Sequence, residues 1–198
     1  NELDPGRNRA AFERVCNALR AGDFRAAHVK KLSPGPYYRA ESLRRGQYYA
    51  HPRNAFWPIM GALFDAGPER PYAERVARLL DARIAVWDVL GRCRRRGSAD
   101  AAIAPDSVTP NDIPGLLRRA PGLRRIAFNG AGAERLFRRY FRGCPTAPPR
   151  AGPAFVRLPS TSPAYAALSP AEKTERWRRG IRARAPARPI SAPSASSR

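Results

Sequence analysis

Residues 84–90 read Ile-Ala-Val-Trp-Asp-Val-Leu, a short apolar run rich in β-branched side chains. Such a run reads as a buried parallel strand. Three other segments read as strands: a poorer one at 26–32, then 124–128 and 154–158. Helical patterns at 54–64, 71–80, 113–119, 131–141 and 169–180 fall between and after them. Strands alternating with helices predict an α/β fold, a three-layer α/β/α arrangement around a central, mainly parallel four-stranded sheet. Loops at the carboxyl ends of such strands gather at one edge and build the site. Residues 49–54, 88–98, 129–130 and 159–163 are loops of that type.

The remaining segments follow from local pattern. Residues 8–19 have helical spacing, with Phe12, Val15 and Leu19 on one face. Pro71 suits the first turn of a helix whose buried face is Val76, Leu79 and Leu80. Residues 131–141 form an amphipathic helix, with Leu136, Phe137 and Tyr140 inward and Arg135, Arg138, Arg139 and Arg142 outward. Asp88, near the end of its strand, is read as hydrogen-bonded support for the following loop. Arg92, Arg94, Arg95 and Arg96 surround Cys93 in that loop. Two readings are open for them, a solvated basic loop and a phosphate clamp. Residues 1–31 are expected to be a divergent N-terminal segment, 32–180 the α/β domain, and 181–198 a disordered basic tail of Arg, Ala, Pro and Ser.

The chain carries 37 basic residues against 16 acidic ones, a formal net charge of +21 that is nearly all arginine. Guanidinium forks match phosphates, and released counterions drive binding to polyanions, so nucleic acid is the expected partner. Genome base composition accounts for Arg over Lys but not for the excess itself. Cys16, Cys93 and Cys144 are too few and too scattered for a disulfide framework, a zinc knuckle or a four-cysteine cluster. No apolar run approaches a membrane span, and nothing at the start reads as a signal peptide. The expectation is a cytoplasmic, nucleoid-associated monomer with no metal or cofactor.

Residues 46–57, Gly-Gln-Tyr-Tyr-Ala-His-Pro-Arg-Asn-Ala-Phe-Trp, concentrate four aromatics with a His, an Arg and an Asn around Pro52. The helix that follows offers free backbone N–H groups to anions, and the aromatics offer a stacking surface for a base. The other reading is a core corner, with Asn54 capping a helix that begins at Ala55.

The run 46–64 resembles the signature of the hypoxanthine-DNA (deoxyinosine) glycosylases, the sixth family of the uracil-DNA glycosylase superfamily. It is also similar to the Phe-Ala-His-Pro-x-Asn-Arg-Phe-Trp stretch of mismatch-specific uracil glycosylases. Three further segments match in the same order. These are Ala85-Val86-Trp87-Asp88-Val89-Leu90 running on to Cys93 and Gly97-Ser98-Ala99-Asp100; Phe128-Asn129-Gly130; and Leu158-Pro159-Ser160-Thr161-Ser162-Pro163-Ala164. The resemblance covers roughly residues 42–180 and departs from the family at 31–41, where Ser33-Pro34-Gly35 keeps only the end of a Gly-Ser-Met-Pro-Gly type loop.

The resemblance implies DNA carrying a deaminated base as the partner, in double or single strands. It implies that Tyr49 stacks on a flipped base and that Asn54 is the principal catalytic residue. Phe56 is expected beside Tyr49 in contact with the base. His51 either donates to the leaving base or holds the turn. Asn129 either contacts the base edge or makes an Asn-Gly turn. Ser160, Thr161 and Ser162 match the loop that pinches the DNA backbone, although a Ser/Thr capping loop is the plainer reading. Residues 163–165 could include the wedge that fills the vacated stack. Arg53, Arg94 and Arg95 are expected on phosphates. None of Lys30, Lys31 and Lys173 falls inside these motifs, which argues against a Schiff-base lyase step. Three readings stand: a deoxyinosine glycosylase, with uracil as a further substrate; a mismatch-specific uracil or thymine glycosylase; and a DNA-binding homologue with impaired catalysis.

Overall fold

The computed structural model describes residues 26–30, 47–94, 103–142 and 153–182. The expectations for the helix at 8–19, the loop at 31–41, Arg95 and the tail lie outside these residues. Six strands and five α-helices are described: β1 (Ala26–Lys30), α1 (Phe56–Phe64), α2 (Tyr72–Asp81), β2 (Ile84–Asp88), β3 (Leu90–Arg92), β4 (Thr109–Pro110), α3 (Ile113–Arg119), β5 (Arg125–Asn129), α4 (Ala131–Tyr140), β6 (Ala154–Leu158) and α5 (Pro170–Arg182). A single 3₁₀ turn, Pro105–Ser107, precedes β4.

The main sheet runs β2-β1-β5-β6, and every pairing in it is parallel. The weakest strand in the sequence, β1, lies at its centre, pairing Ala26 with Ile84 on one side and Ala27 with Ile126 on the other. Backbone bonds on both edges hold such a strand without strong help from local propensity. The α/β unit therefore begins no later than Ala26, upstream of the boundary expected at residue 32. Thr109 and Pro110, just ahead of the helical pattern at 113–119, pair antiparallel with β3. The helix starts at Asp112, whose carboxylate accepts from Gly115 N at 2.7 Å.

Two cores, one on each face of the sheet, make the three layers. On one face Ala85, Trp87, Ile126 and Phe128 pack with Ile113, Leu116, Phe137 and Phe141. On the other, Ile84, Ala127 and Leu158 pack with Phe56, Ile59, Met60, Leu79 and Trp177. Alternate residues of β5 thus serve opposite cores, as the strand period requires. One expected core residue is misplaced: Leu80 is 37% exposed, because Leu79 alone turns fully inward at the end of α2. Among the described residues no helix is long and apolar enough to cross a membrane.

The last helix is tied down by polar bonds inside apolar surroundings. Arg125, buried at the start of β5, donates from Nη1 to the carbonyls of Gly180 (2.7 Å) and Ile181 (2.9 Å). These are carbonyls of the last turn, where a cation is favoured. At the other end, Ser169 and Glu172 form a reciprocal capping box. Between them Trp177 is fully buried, meets Phe56 edge-on at 5.9 Å, and donates from Nε1 to Pro159 O at 2.8 Å. Trp177→Ala is expected to cost about 3–5 kcal/mol of stability, read as a lowered urea midpoint at unchanged slope.

Candidate active site

Three loops at the carboxyl edge of the sheet are locked together by one side chain. Asn129 ends β5. Its Nδ2 donates to Tyr49 Oη (2.8 Å) and to Thr161 Oγ1 (2.9 Å), and its Oδ1 accepts from Thr161 N (2.9 Å). Both donor hydrogens of the amide are thereby used. Thr161 O in turn accepts from Ala55 N at 3.0 Å, which fixes the start of α1 against the same loop. Gly130 makes the close approach possible. Its φ is +90°, and a Cβ there would come within 2.9 Å of Ser160 Cβ.

Tyr49 is held in the left-handed region, with φ +55°. A non-glycine residue adopts this only when its surroundings dictate it. Here one ring face stacks on Phe56 at 4.0 Å and 16°, and the hydroxyl is taken by Asn129. Burial pushes the phenol well above its ordinary range, opposed by the Asn129 bond and reinforced by the Asp88 charge. Tyr48, next to it, is also raised, first by burial and then by Asp88. Asp88 thus faces phenols, while its carbonyl accepts from Asn111 Nδ2 at 2.7 Å.

Asn54 is 7% exposed. Its Oδ1 accepts from Phe56 N at 2.9 Å, and its own N–H donates to His51 O at 2.9 Å. It therefore caps the helix start two residues ahead of Phe56, one residue earlier than a conventional cap. Its Nδ2 makes no hydrogen bond to the described residues, and the residue lines a cleft.

That cleft has a volume of about 790 Å³. Tyr49, Asn54, Asn129 and the 160–162 loop line it, and so do the Gly130–Gly132 start of α4 and Tyr165. Within the loop, Ser162 N donates to Ser160 Oγ (3.2 Å) and Ala164 N to Ser162 Oγ (3.3 Å). Buried Lys173 fixes the far end, donating to Tyr165 O at 2.6 Å and lying 5.3 Å from its ring centre. Desolvation moves the Lys173 ammonium down from its ordinary value. Among the described residues no group of His, Cys, Asp and Glu is placed to hold a metal ion.

Several expected site residues are elsewhere. Phe56 is fully buried, not at the cleft; it backs Tyr49 from beneath. Its spacing with Ile59, Met60 and Leu63 puts it on the core stripe of α1, a signal already present in the sequence. His51 is outside the cleft lining, and its Nδ1 accepts from Arg53 N at 3.1 Å, so it holds the turn. Desolvation and Arg53 keep this imidazole below its ordinary value. Arg53 is exposed on that turn. Arg94 lies beyond the cleft lining and pairs with Asp106 at 3.0 Å. Four arginines that carried no role in the sequence, Arg135, Arg157, Arg176 and Arg179, do line the cleft.

Asn129→Ala leaves the buried Thr161 N–H and the Tyr49 hydroxyl without this partner. Each unsatisfied group costs about 1–3 kcal/mol. A stability loss in the lower part of the summed range, measured by urea unfolding, is expected, with Asn129→Asp losing less because its carboxylate keeps the acceptor for Thr161 N–H and can accept from both hydroxyls.

No family model matches the chain. Over 94 residues, 47% of its length, it is 38% identical to a hypoxanthine DNA glycosylase of Methanosarcina acetivorans. Over 90 residues, 45% of its length, it is 33% identical to a hypoxanthine DNA glycosylase of Methanosarcina barkeri. The matched stretches span 58% and 56% of those proteins, so the chain covers little more than half of the curated relatives it matches. A solution NMR structure from M. acetivorans, provisionally described as a uracil DNA glycosylase, aligns with a TM-score of 0.59 at 29% identity. That alignment covers 79% of this chain and 90% of the other.

Proposed function

We propose that the chain is a monofunctional DNA glycosylase of base-excision repair, of the hypoxanthine-DNA glycosylase family of the uracil-DNA glycosylase superfamily, a reading that its likeness to two hypoxanthine DNA glycosylases supports. It flips a deaminated base out of DNA, hypoxanthine foremost, and hydrolyses its N-glycosidic bond, working as a monomer at the nucleoid. The observation that carries this reading is the convergence of Tyr49, Asn54 and the 160–162 loop on one cleft. These residues come from two loops far apart in the chain, as a pocket that must grip base and backbone together requires.

Excision breaks the bond between the sugar C1′ and the base nitrogen. The electron pair goes to the base, the sugar becomes cationic, and water adds at C1′. Tyr49, braced from behind by Phe56, offers its ring to the flipped base. The Nδ2 of Asn54 donates to the carbonyl oxygen of the base, where negative charge develops on departure. Because Phe56 N–H fixes Oδ1, the donor is aimed before substrate arrives, and Oδ1 keeps a lone pair for a water. A donor at this place also selects for hypoxanthine. Adenine carries an amino group, itself a donor, where hypoxanthine carries an acceptor. The Ser160–Ser162 hydroxyls and turn amides hold the adjoining phosphate, and Asn129 positions Tyr49 and Thr161 relative to each other. Uracil presents a similar acceptor, and the relative described as a uracil DNA glycosylase favours it as a second substrate.

The test is single-turnover excision from oligonucleotides carrying inosine, uracil or only unmodified bases, with alkali to cut abasic sites. Asn54→Ala is expected to lower the rate roughly 10²–10³-fold. Asn54→Asp keeps the acceptor for Phe56 N–H while losing the donor, and is expected to be similarly slow with the fold intact. Near-normal excision by both variants would remove Asn54 from the mechanism, and no excision at any base by the unaltered protein would leave a DNA-binding homologue.

The rate is also expected to be flat between about pH 7 and about pH 8.5. With His51 lowered, the imidazole is already neutral at the bottom of that window. With Tyr49 raised, the phenol is still protonated at the top. A rate–pH profile with an inflection in the window would contradict this assignment.

A further inference from the structure

The cleft is lined by four arginines and by no carboxylate. They come from three elements: Arg135 from α4, Arg157 from β6, and Arg176 and Arg179 from α5. All four are exposed. Arg157 approaches Glu134 at 3.4 Å, and Arg179 pairs with Glu175 at 2.8 Å. Arg135 and Arg176 form no ion pair with the described residues.

The turn before α2 and α2 itself show what this chain does with arginines that have a structural role. Arg70 bonds Asp65 and Glu74, and Arg78 bonds the same two carboxylates, all between 2.6 and 3.1 Å. At the cleft only Arg157 and Arg179 reach a carboxylate, so the lining keeps an excess of positive charge that stands against folding. A cluster of this kind is matched by a ligand with several negative charges.

The shape agrees. Some 790 Å³ is near the upper end for a pocket that takes a drug-sized molecule, well beyond what one base fills. Arg176 and Arg179 are three apart on α5 and so share a helix face. The first N–H groups of α4, at Ala131 and Gly132, border the same space and favour anions.

Resting on the glycosylase reading above, we propose that Arg135, Arg157, Arg176 and Arg179 form a phosphate track that carries the DNA strand flanking the flipped nucleotide. The strand runs along the α4 and α5 side of the cleft, while Tyr49 and Asn54 hold the base. Such contacts set position and affinity and carry no base information.

The experiment measures binding of a short unmodified duplex, and of the same duplex with one inosine, by fluorescence anisotropy across a salt series. Each phosphate contact contributes about 0.9 to the slope of log K against log salt. The double variant Arg135→Ala/Arg176→Ala is expected to flatten the slope by about 2 on both duplexes. Arg139→Ala, which removes one charge from α4 off the cleft, is expected to leave it unaltered. An unchanged slope in the double variant would overturn the proposal, as would a loss of about 1 in Arg139→Ala. Both substituted side chains are exposed, and an unaltered urea midpoint verifies the fold. Binding to the unmodified duplex is read without excision, so a failure of excision would strike the glycosylase reading and leave this one standing.

Discussion

The Asn129 amide is the bond on which this cleft depends. A parallel sheet delivers its loops to one edge but does not fix the distances between them. Asn129 does so with one planar group, whose two donors reach Tyr49 and Thr161 and whose oxygen takes the Thr161 amide. The Thr161 carbonyl then extends the network to the start of α1. A half-buried amide so satisfied is held in place, because any rotation leaves polar groups unpaired, the buried Thr161 amide among them. This commitment leaves it no free donor hydrogen for a ligand. Asn54, whose Nδ2 makes no hydrogen bond to the described residues, is the cleft amide that keeps its donors.

Behind this polar clamp stands an aromatic one. Phe56 stacks under Tyr49 and meets Trp177 edge-on, and Trp177 reaches Pro159 O. The cleft-lining ring of Tyr49, the first turn of α1 and the last helix are thus one packed unit. The left-handed backbone of Tyr49 is affordable because stacking and the Asn129 bond both fix its ring. A surface for a flat ligand needs a stiff backing, and here the hydrophobic core supplies it.

Charge is distributed by role. On the α1–α2 side, Arg70 and Arg78 are absorbed by Asp65 and Glu74, whose carboxyls are lowered chiefly by hydrogen bonds from these guanidinium groups. Exposed pairs of that kind contribute little to stability. At the cleft, arginines gather with no acid in the lining. Four of the 37 basic residues, and none of the 16 acidic ones, thus line the cleft.

The sequence by itself determined the order of strands and helices, the α/β class, and the loops that meet at the carboxyl edge. Those rest on periodicity and turn residues, which are local and survive in a linear string. Its four motif segments also brought Tyr49, Asn54 and the 160–162 loop into one expectation. Only the tertiary structure decided which way each side chain serves. Phe56 went to the core and Tyr49 to the cleft, although both are aromatics of one short stretch. His51 turned to its own loop, and Asn129 to its neighbours. Arg135 reads as outward from its helix, but outward covers solvent and cleft alike. β1 was accepted at the centre of the sheet because pairing on two edges outweighs weak propensity. Each of these choices depends on contacts between residues far apart in the chain, and local pattern carries no record of them.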